Sequence, residues 1–271
     1  MKLYKTNEQY FDTIDTEEKA YFLGFIYADG NIHKYMFTIG LNKKDELLLF
    51  KLKNFISPTR PIYYCKKRPV VTLCIENKKL SASLKKAGVV ERKSLILKFP
   101  ESEIVPVHLY SHFIRGYFDG DGSIYNLSNR KSVFGLKIIS SDSFINTLVN
   151  FLKKLNINLR ISKCGKVSSA ITTKKIEIKK FYDYIYKNST IHLNRKKNKF
   201  NKMIRVTNWE RLSKQKTSST IGVCYVTREN KWWAYSTINK KPHTIGWFNT
   251  ELEAVAARQD WLGGTLHRKV V

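Results

Sequence analysis

Tyr21-Phe22-Leu23-Gly24-Phe25-Ile26-Tyr27-Ala28-Asp29-Gly30 returns, in altered form, as Phe113-Ile114-Arg115-Gly116-Tyr117-Phe118-Asp119-Gly120-Asp121-Gly122. In both stretches a small residue stands four positions after a glycine, Gly24 with Ala28 and Gly116 with Gly120, which puts the pair on one face of a helix. A helix with so smooth a stripe lets another backbone approach closely. Each stretch ends in Asp-Gly, so a carboxylate sits at a helix C-terminus, where the dipole opposes an anion. If the helices pack through their small faces, Asp29 and Asp121 emerge side by side. Two carboxylates that close repel unless a positive charge lies between them, and an oxygen-preferring divalent cation such as Mg²⁺ is the natural occupant. One Asp-Gly is an ordinary helix C-cap. Two of them, 92 positions apart (121 minus 29) in a strongly basic chain, point to function.

The chain's 271 residues, 42% of them hydrophobic, are enough to bury one large core or two modest ones. Lys and Arg number 49 against 22 Asp and Glu, a net +27 that fits a polyanionic partner, nucleic acid first. A membrane surface is the weaker fit, because the sequence shows neither a basic amphipathic helix nor an apolar anchor. It has no run of about 18 apolar residues to span a bilayer, and residues 1–6 lack the apolar core of a signal peptide. Cys65, Cys74, Cys164 and Cys224 are scattered, against a zinc module or a disulfide framework. The expectation is an intracellular protein, cytoplasmic or organellar, and not secreted.

Acidic Asp12, Asp15, Glu17 and Glu18 lead into a helix expected over 16–28 and stopped at Gly30. A hairpin follows around Lys34-Tyr35, with Ile32, Phe37, Ile39 and Leu41 on its core face. Residues 43–56 have apolar positions at 47, 48, 52, 55 and 56, a helical pattern. Strands are expected over 62–66 and 70–75, with Lys67-Arg68-Pro69 as a basic tip, then a helix over 78–86 closed at Gly88. The same order recurs after the second stretch, as an internal duplication predicts. Aligning Asp142 with Asp45 sets Phe134, Leu136 and Ile138 on Phe37, Ile39 and Leu41, and predicts a helix over 143–155, strands over 158–163 and 170–178, and a helix over 179–187. Residues 100–108, with Pro100 and Pro106, join the halves.

The two stretches resemble the paired motifs of the LAGLIDADG homing endonucleases, read as Phe22 to Gly30 and Ile114 to Gly122. The resemblance implies an α+β fold of two pseudo-symmetric αββαββα halves packed through the motif helices. It also implies Mg²⁺-dependent cleavage of both DNA strands, with short 3′ overhangs and Mn²⁺ as a substitute metal. Tyr27 stands where the pattern has its earlier aspartate, while the second copy keeps Asp119. That position is not a catalytic one in the family. The resemblance makes Asp29 and Asp121 the metal ligands and catalytic acids, aided by the backbone carbonyls of Ala28 and Gly120. It also assigns a catalytic role to a basic residue at the exit of each half, here Lys93 and Lys196, although surface lysines are common in so basic a chain.

Residues 187–216 hold ten Lys or Arg against one Glu, the composition either of a solvated face or of a segment that tracks phosphates. From residue 218 the pattern reads as three short strands and a helix over 251–262, with Leu252, Val255 and Ala256 on one side and cap chemistry around Thr250. Gly222-Val223, Lys231-Trp232-Trp233-Ala234 and Ile245-Gly246-Trp247-Phe248-Asn249-Thr250-Glu251-Leu252-Glu253-Ala254 make this tail similar to the ERF/APETALA-type DNA-binding domain. Cys224 and Val226 replace that family's base-reading arginines, so its sequence preference does not carry over. The expected organisation is a first half at 1–100, a second at 101–205, a basic linker at 206–217 and the tail domain at 218–271.

For DNA reading, the sheet faces opposite the core are expected to enter the major groove. They nominate Asn31, His33, Lys66 and Arg68 in the first half and Ser123, Tyr125, Lys137 and Arg160 in the second. In the tail, Arg228, Trp233, Tyr235, Lys240 and Lys241 are candidate contacts, while Trp232, Trp247 and Phe248 read as core. The expected enzyme is a monomer with a long, nearly asymmetric duplex target. The alternative is the same fold used as an RNA-binding intron maturase or a non-cleaving regulator, but a pure binder has no need of two electrostatically costly carboxylates. An intein is disfavoured because no splicing block flanks the motifs.

Overall fold

A computed structural model describes residues 4–127, 133–207, 218, 220–238 and 241–267, in two compact units, Met1–Thr207 and Asn208–Val271. In the first unit, α1 (Glu17–Asp29), β1 (Gly30–His33), β2 (Met36–Asn42), α2 (Glu46–Ile56), β3 (Ile62–Tyr64), β4 (Val70–Glu76) and α3 (Lys78–Lys86) form one αββαββα half. The order repeats in α4 (Tyr110–Asp121), β5 (Gly122–Asn126), β6 (Phe134–Ser140), α5 (Asp142–Lys154), β7 (Arg160–Cys164), β8 (Val167–Thr172) and α6 (Lys175–Tyr186). Helix α7 (Asn194–Arg205) closes the unit. Each half carries an antiparallel four-stranded sheet, ordered β1-β2-β4-β3 in the first and β5-β6-β8-β7 in the second.

Helix α1 starts where its chemistry permits: Thr16 accepts from the Lys19 N–H at 3.3 Å, and Glu17 and Glu18 face the positive end of the dipole. It ends on Asp29, one residue later than expected, and Gly30 turns the chain straight into β1. The α1–α4 seam is as close as the small stripes predict. A Cβ on Gly24 would lie 2.0 Å from the Phe113 carbonyl oxygen, and one on Gly116 would lie 1.9 Å from that of Tyr21. The backbones touch, so neither position has room for any side chain. Phe22, Phe25, Phe113 and Phe118 pack around the seam at 2% exposure or less, and each contributes about 1.5–3 kcal/mol of hydrophobic free energy.

The duplication holds, but its register differs from the sequence alignment. Gly30 pairs with Ile39 in the first hairpin and Gly122 with Ile138 in the second, so Phe37 and Ile39 correspond to Leu136 and Ile138. The alignment on Asp142 was therefore two residues out. A two-residue slip leaves side-chain alternation unchanged, which is why Phe134, Leu136 and Ile138 are all buried as expected.

Other boundaries moved for local reasons. Strand β3 stops at Tyr64, leaving Lys66 in the turn before β4. The expected strand over 170–178 is β8 at 167–172, and α6 begins at Lys175, four residues before the expected 179. Ile178, Phe181 and Ile185 are buried at helical spacing, which overrides the run of β-branched residues before them. In α2, Leu47 is 73% and Phe55 41% exposed, while Leu49 is buried instead. Part of the basic run is α7, whose inner face of Lys196, Phe200 and Met203 is buried in the second half.

In the second unit, β9 (Val223–Val226), β10 (Lys231–Ile238) and β11 (Lys241–Phe248) form an antiparallel sheet, followed by α8 (Glu251–His267). Val223, Trp232, Ala234 and Ala254 make its core. Thr250 and Glu253 exchange the two hydrogen bonds of a capping box, at 3.3 and 3.0 Å. Leu252, expected on the inner side, is 82% exposed because Ala254 faces the sheet.

Candidate active site

Asp29 and Asp121 are the last residues of α1 and α4, and the two helix ends meet. A Cβ on Gly120 would lie 2.2 Å from the Ala28 Cβ and 3.2 Å from Asp29 Oδ2. One lysine from each half seals its own helix end. Lys93 Nζ donates to the carbonyls of Ile26 at 3.0 Å and Gly30 at 2.5 Å. Lys196 Nζ donates to those of Phe118 at 2.7 Å, Gly120 at 2.8 Å and Gly122 at 2.6 Å. Ile26 and Gly30 stand in the first motif where Phe118 and Gly122 stand in the second, so the lysines are pseudo-symmetric. Each places a cation on carbonyls at the negative end of its helix dipole.

Both carboxyls open to solvent, yet they are walled by packed protein. Burial first, and the charge of Asp121 second, push Asp29 up to about 6, against the pull of Lys196, Lys93 and Arg195. Asp121 is also raised by burial, against Lys93, Lys196 and a hydrogen bond from Tyr117. Burial drives both lysines down to about 8, a loss moderated for Lys93 by Asp121 and Asp29 and for Lys196 chiefly by Asp119. Among the described residues, no three His, Cys, Asp or Glu side chains converge on a point. What converges here is a pair of carboxylates with backbone carbonyls beside them, a hard oxygen set suited to Mg²⁺ or a similar cation. The residues fit the expected ion, since a cation relieves the repulsion that raises Asp29. The Gly120 carbonyl is shared with Lys196.

A family model described as a LAGLIDADG-like domain matches residues 109–186, from the turn before α4 to the end of α6. Those residues are similar to a LAGLIDADG-like domain. Among solved structures, the fold is similar to that of the meganuclease I-SmaMI bound to uncleavable DNA, at 15% identity and TM-score 0.50, over 75% of this chain and 93% of that one. It is similar also to the LAGLIDADG meganuclease I-AabMI bound to uncleaved DNA, at 13% identity and TM-score 0.50, over 71% and 91%. No curated protein matches the chain. The first half, outside the family match, has the same LAGLIDADG architecture.

Sequence reasoning left Asp119 without a role. It is fully buried and accepts from Tyr21 Oη at 2.8 Å, Tyr186 Oη at 2.5 Å and the Leu193 N–H at 2.7 Å. The second motif thus ties α1, α6 and the lead into α7 to one carboxylate. Tyr27, its counterpart, donates to the Ala87 carbonyl at 2.8 Å and so holds α3. Arg115, 1% exposed, binds Ile191 O, Ile185 O and Glu17 Oε1 at 2.8, 2.8 and 2.6 Å, joining the halves at the other end of the seam. The signal was a charged residue inside an apolar motif. Asp119→Ala would strand two phenols and an N–H in the interior and is expected to cost about 3 kcal/mol or more in urea unfolding; a loss below about 1 kcal/mol would show that water replaces the carboxylate.

The nominated sheet residues fall on open faces. Asn31 and His33 are exposed on β1, with His33 Nδ1 4.0 Å from Glu91 Oε2, and Lys66 and Arg68 are exposed in the β3–β4 turn. In the second sheet, Ser123 pairs with Lys137, Lys137 with Ile171 and Ile171 with Arg160, so three nominees share one row, with Tyr125 two places along β5. In the second unit, Trp233 stacks on Tyr235 at 4.4 Å and on Trp247 at 5.7 Å, on the face away from Trp232 and Ala234. Trp247, expected in the core, is 44% exposed, because it pairs with Trp233 and alternation puts both on the open side. Arg228 and Lys241 are exposed. Lys240 lies outside the described residues, as does most of the expected 206–217 linker. No helix among the described residues is long and apolar enough to cross a membrane.

Proposed function

We propose that the chain is a site-specific endonuclease that cuts both strands of duplex DNA, acting as a monomer with a divalent cation, Mg²⁺ first and Mn²⁺ as a substitute. The observation that carries this reading is the pair of carboxylates ending the seam helices, each helix end sealed by its own half-buried or buried lysine. Asp29 and Asp121, with the Ala28 and Gly120 carbonyls, would hold the cation. Bound there, it would supply an activated water, neutralise developing phosphoryl charge and protect the leaving oxygen. Lys93 and Lys196, driven down to about 8, sit close enough to neutrality to exchange a proton at Nζ near physiological pH, and when charged they steady anionic oxygen.

The net charge of +27 and the open polar sheet faces support a long duplex target. The DNA-bound state of the meganucleases with this fold supports the same partner. Short 3′ overhangs, and a gene that lies within a mobile intron or stands free, accompany this reading. Keeping two mutually repelling carboxylates favours cutting over a purely RNA-binding or regulatory role. Selection of cleavable sites from a random duplex library in Mg²⁺ tests the proposal; recovery of bound but never cleaved duplexes would overturn it.

The tail adds an accessory DNA-binding surface, in keeping with its likeness to the ERF/APETALA-type domain. A chain ending at residue 216 retains both aspartates and both lysines, so it is expected to cut but to bind more weakly. Its slope of log affinity against log salt should be shallower by about 0.9 for each phosphate that the tail would otherwise neutralise. Competition binding at several salt concentrations measures this, and equal slopes would assign the tail elsewhere.

A further inference from the structure

The two sheets offer different chemistry on the faces turned away from the core. No Lys or Arg stands on any strand of the first sheet, β1 to β4, whereas the second carries Lys137 on β6 and Arg160 and Lys163 on β7. Lys163 is bound to Asp142, whose other oxygen accepts from Ser168 at 2.7 Å. Lys137 and Arg160 have no such tie: among the described residues, neither side chain makes an ion pair or a hydrogen bond.

Register puts both cations on the open face. Ser123, Lys137, Ile171 and Arg160 form one row across the sheet, one residue out from the buried Ile138 and Ala170, and so project to the opposite side. Gly30 with Ile39 and Gly122 with Ile138 mark equivalent places in the two hairpins, so Lys137 stands where the first half has Thr38. The matching row of the first sheet is Asn31, Thr38 and Cys74, neutral throughout. Cys74 Sγ lies 3.0 Å from Met36 Sδ, which makes the middle of that face apolar. In the second sheet the cationic row instead borders a cavity of about 380 Å³, lined in part by Tyr125, Arg160, Ile171 and Lys174.

A cation on an outer turn, such as Lys66 or Arg68, is placed for the phosphate backbone. A cation in the middle of a sheet face laid into the major groove is placed for base edges. Guanine presents two acceptors there, O6 and N7, which Lys and Arg match; adenine sets a donor beside its N7, and a second donor cannot satisfy it. The uncharged first face lacks this match.

We infer that Lys137 and Arg160 are specificity-determining residues that each read a guanine, and that guanine is therefore required in the half-site under the second sheet and not at the matching position under the first. The inference rests on the endonuclease reading for its duplex target, but it concerns binding and is tested without cleavage.

The full chain is bound to a random duplex library in Ca²⁺, and the bound sequences are read for the wild type, Lys137→Met and Arg160→Met. Methionine keeps the apolar stem and drops the charge. The wild type is expected to enrich guanine at two or more positions in one half of the site, each preferred by about 5- to 150-fold. Lys137→Met should abolish the preference at one of these positions and Arg160→Met at another, with the rest of the site unchanged. A uniform loss of affinity, with base preferences intact and a salt slope shallower by about one for each cation, would show phosphate contacts and overturn the inference. Guanine enriched at the matching position of both halves would overturn it too. Guanine gained and lost as expected, in duplexes that the wild type never cuts in Mg²⁺, removes the endonuclease reading alone. Cleaved duplexes with no guanine that depends on either cation remove this inference alone, and a chain that enriches no duplex removes both.

Discussion

Asp29→Asn and Asp121→Asn should each lower double-strand cleavage by about 100- to 1,000-fold or more while duplex binding persists, because on the proposed function each removes a charge that would hold the cation without changing the shape of the seam. The same variants should be more stable than the wild type when no metal is present. Asp29 is raised from 3.8 to about 6, so the folded state prefers it protonated. Its contribution to stability is complete below about pH 4 and is lost as pH rises through about 6, and at pH 7 the ionised group is a net burden. The carboxyl opens to solvent, so the relief in Asp29→Asn is about 1 kcal/mol, less than the full shift would give. Calcium, a non-cleaving probe of the oxygen site, should raise the thermal midpoint of the wild type and not of either variant. A variant that still linearised a target plasmid at the wild-type rate would remove that aspartate from the active site. Equal calcium stabilisation of variant and wild type would place the ion elsewhere.

Gly24→Leu or Gly116→Leu is expected to cost about 4 kcal/mol or more, or to prevent folding. The first atom of any side chain would come within 2.0 or 1.9 Å of a backbone carbonyl oxygen on the facing helix, and a backbone in the middle of a packed seam cannot turn aside as a flexible side chain can. Separating the helices would also pull Asp29 from Asp121 and disturb both lysine seals, so activity should fall with stability. Circular dichroism melting decides the matter. Unchanged midpoints in both variants would mean that the helices do not meet at these glycines in solution.

The duplicated motif could be read from the chain because its constraints are local: a glycine and a small residue four apart admit a close helix neighbour, and alternation along β2 and β6 marks the buried face. The family resemblance was enough to nominate Lys93 and Lys196, but not to show that each would close the carbonyl end of its own motif helix. The two-residue register difference between the hairpins was invisible for a related reason, since a shift by an even number leaves the same residues facing inward. Leu47 and Leu252 were misplaced because helical periodicity identifies a stripe, whereas only packing against a neighbour decides which edge of it is covered.

By itself, the sequence determined that the protein has two similar halves joined through glycine-faced helices, each helix ending in a carboxylate, with a third small sheet later in the chain. Those features follow from steric and periodic rules that act within about ten residues. Only the tertiary structure decided what holds the seam and closes its ends: the three donors on Asp119, Arg115 bridging to Glu17, and Lys93 and Lys196 on the carbonyls beside Asp29 and Asp121. The physical reason is distance along the chain. Asp119 meets Tyr21 across 98 residues and Lys196 meets Gly122 across 74, and the desolvation and charge at such a site depend on every element packed there at once.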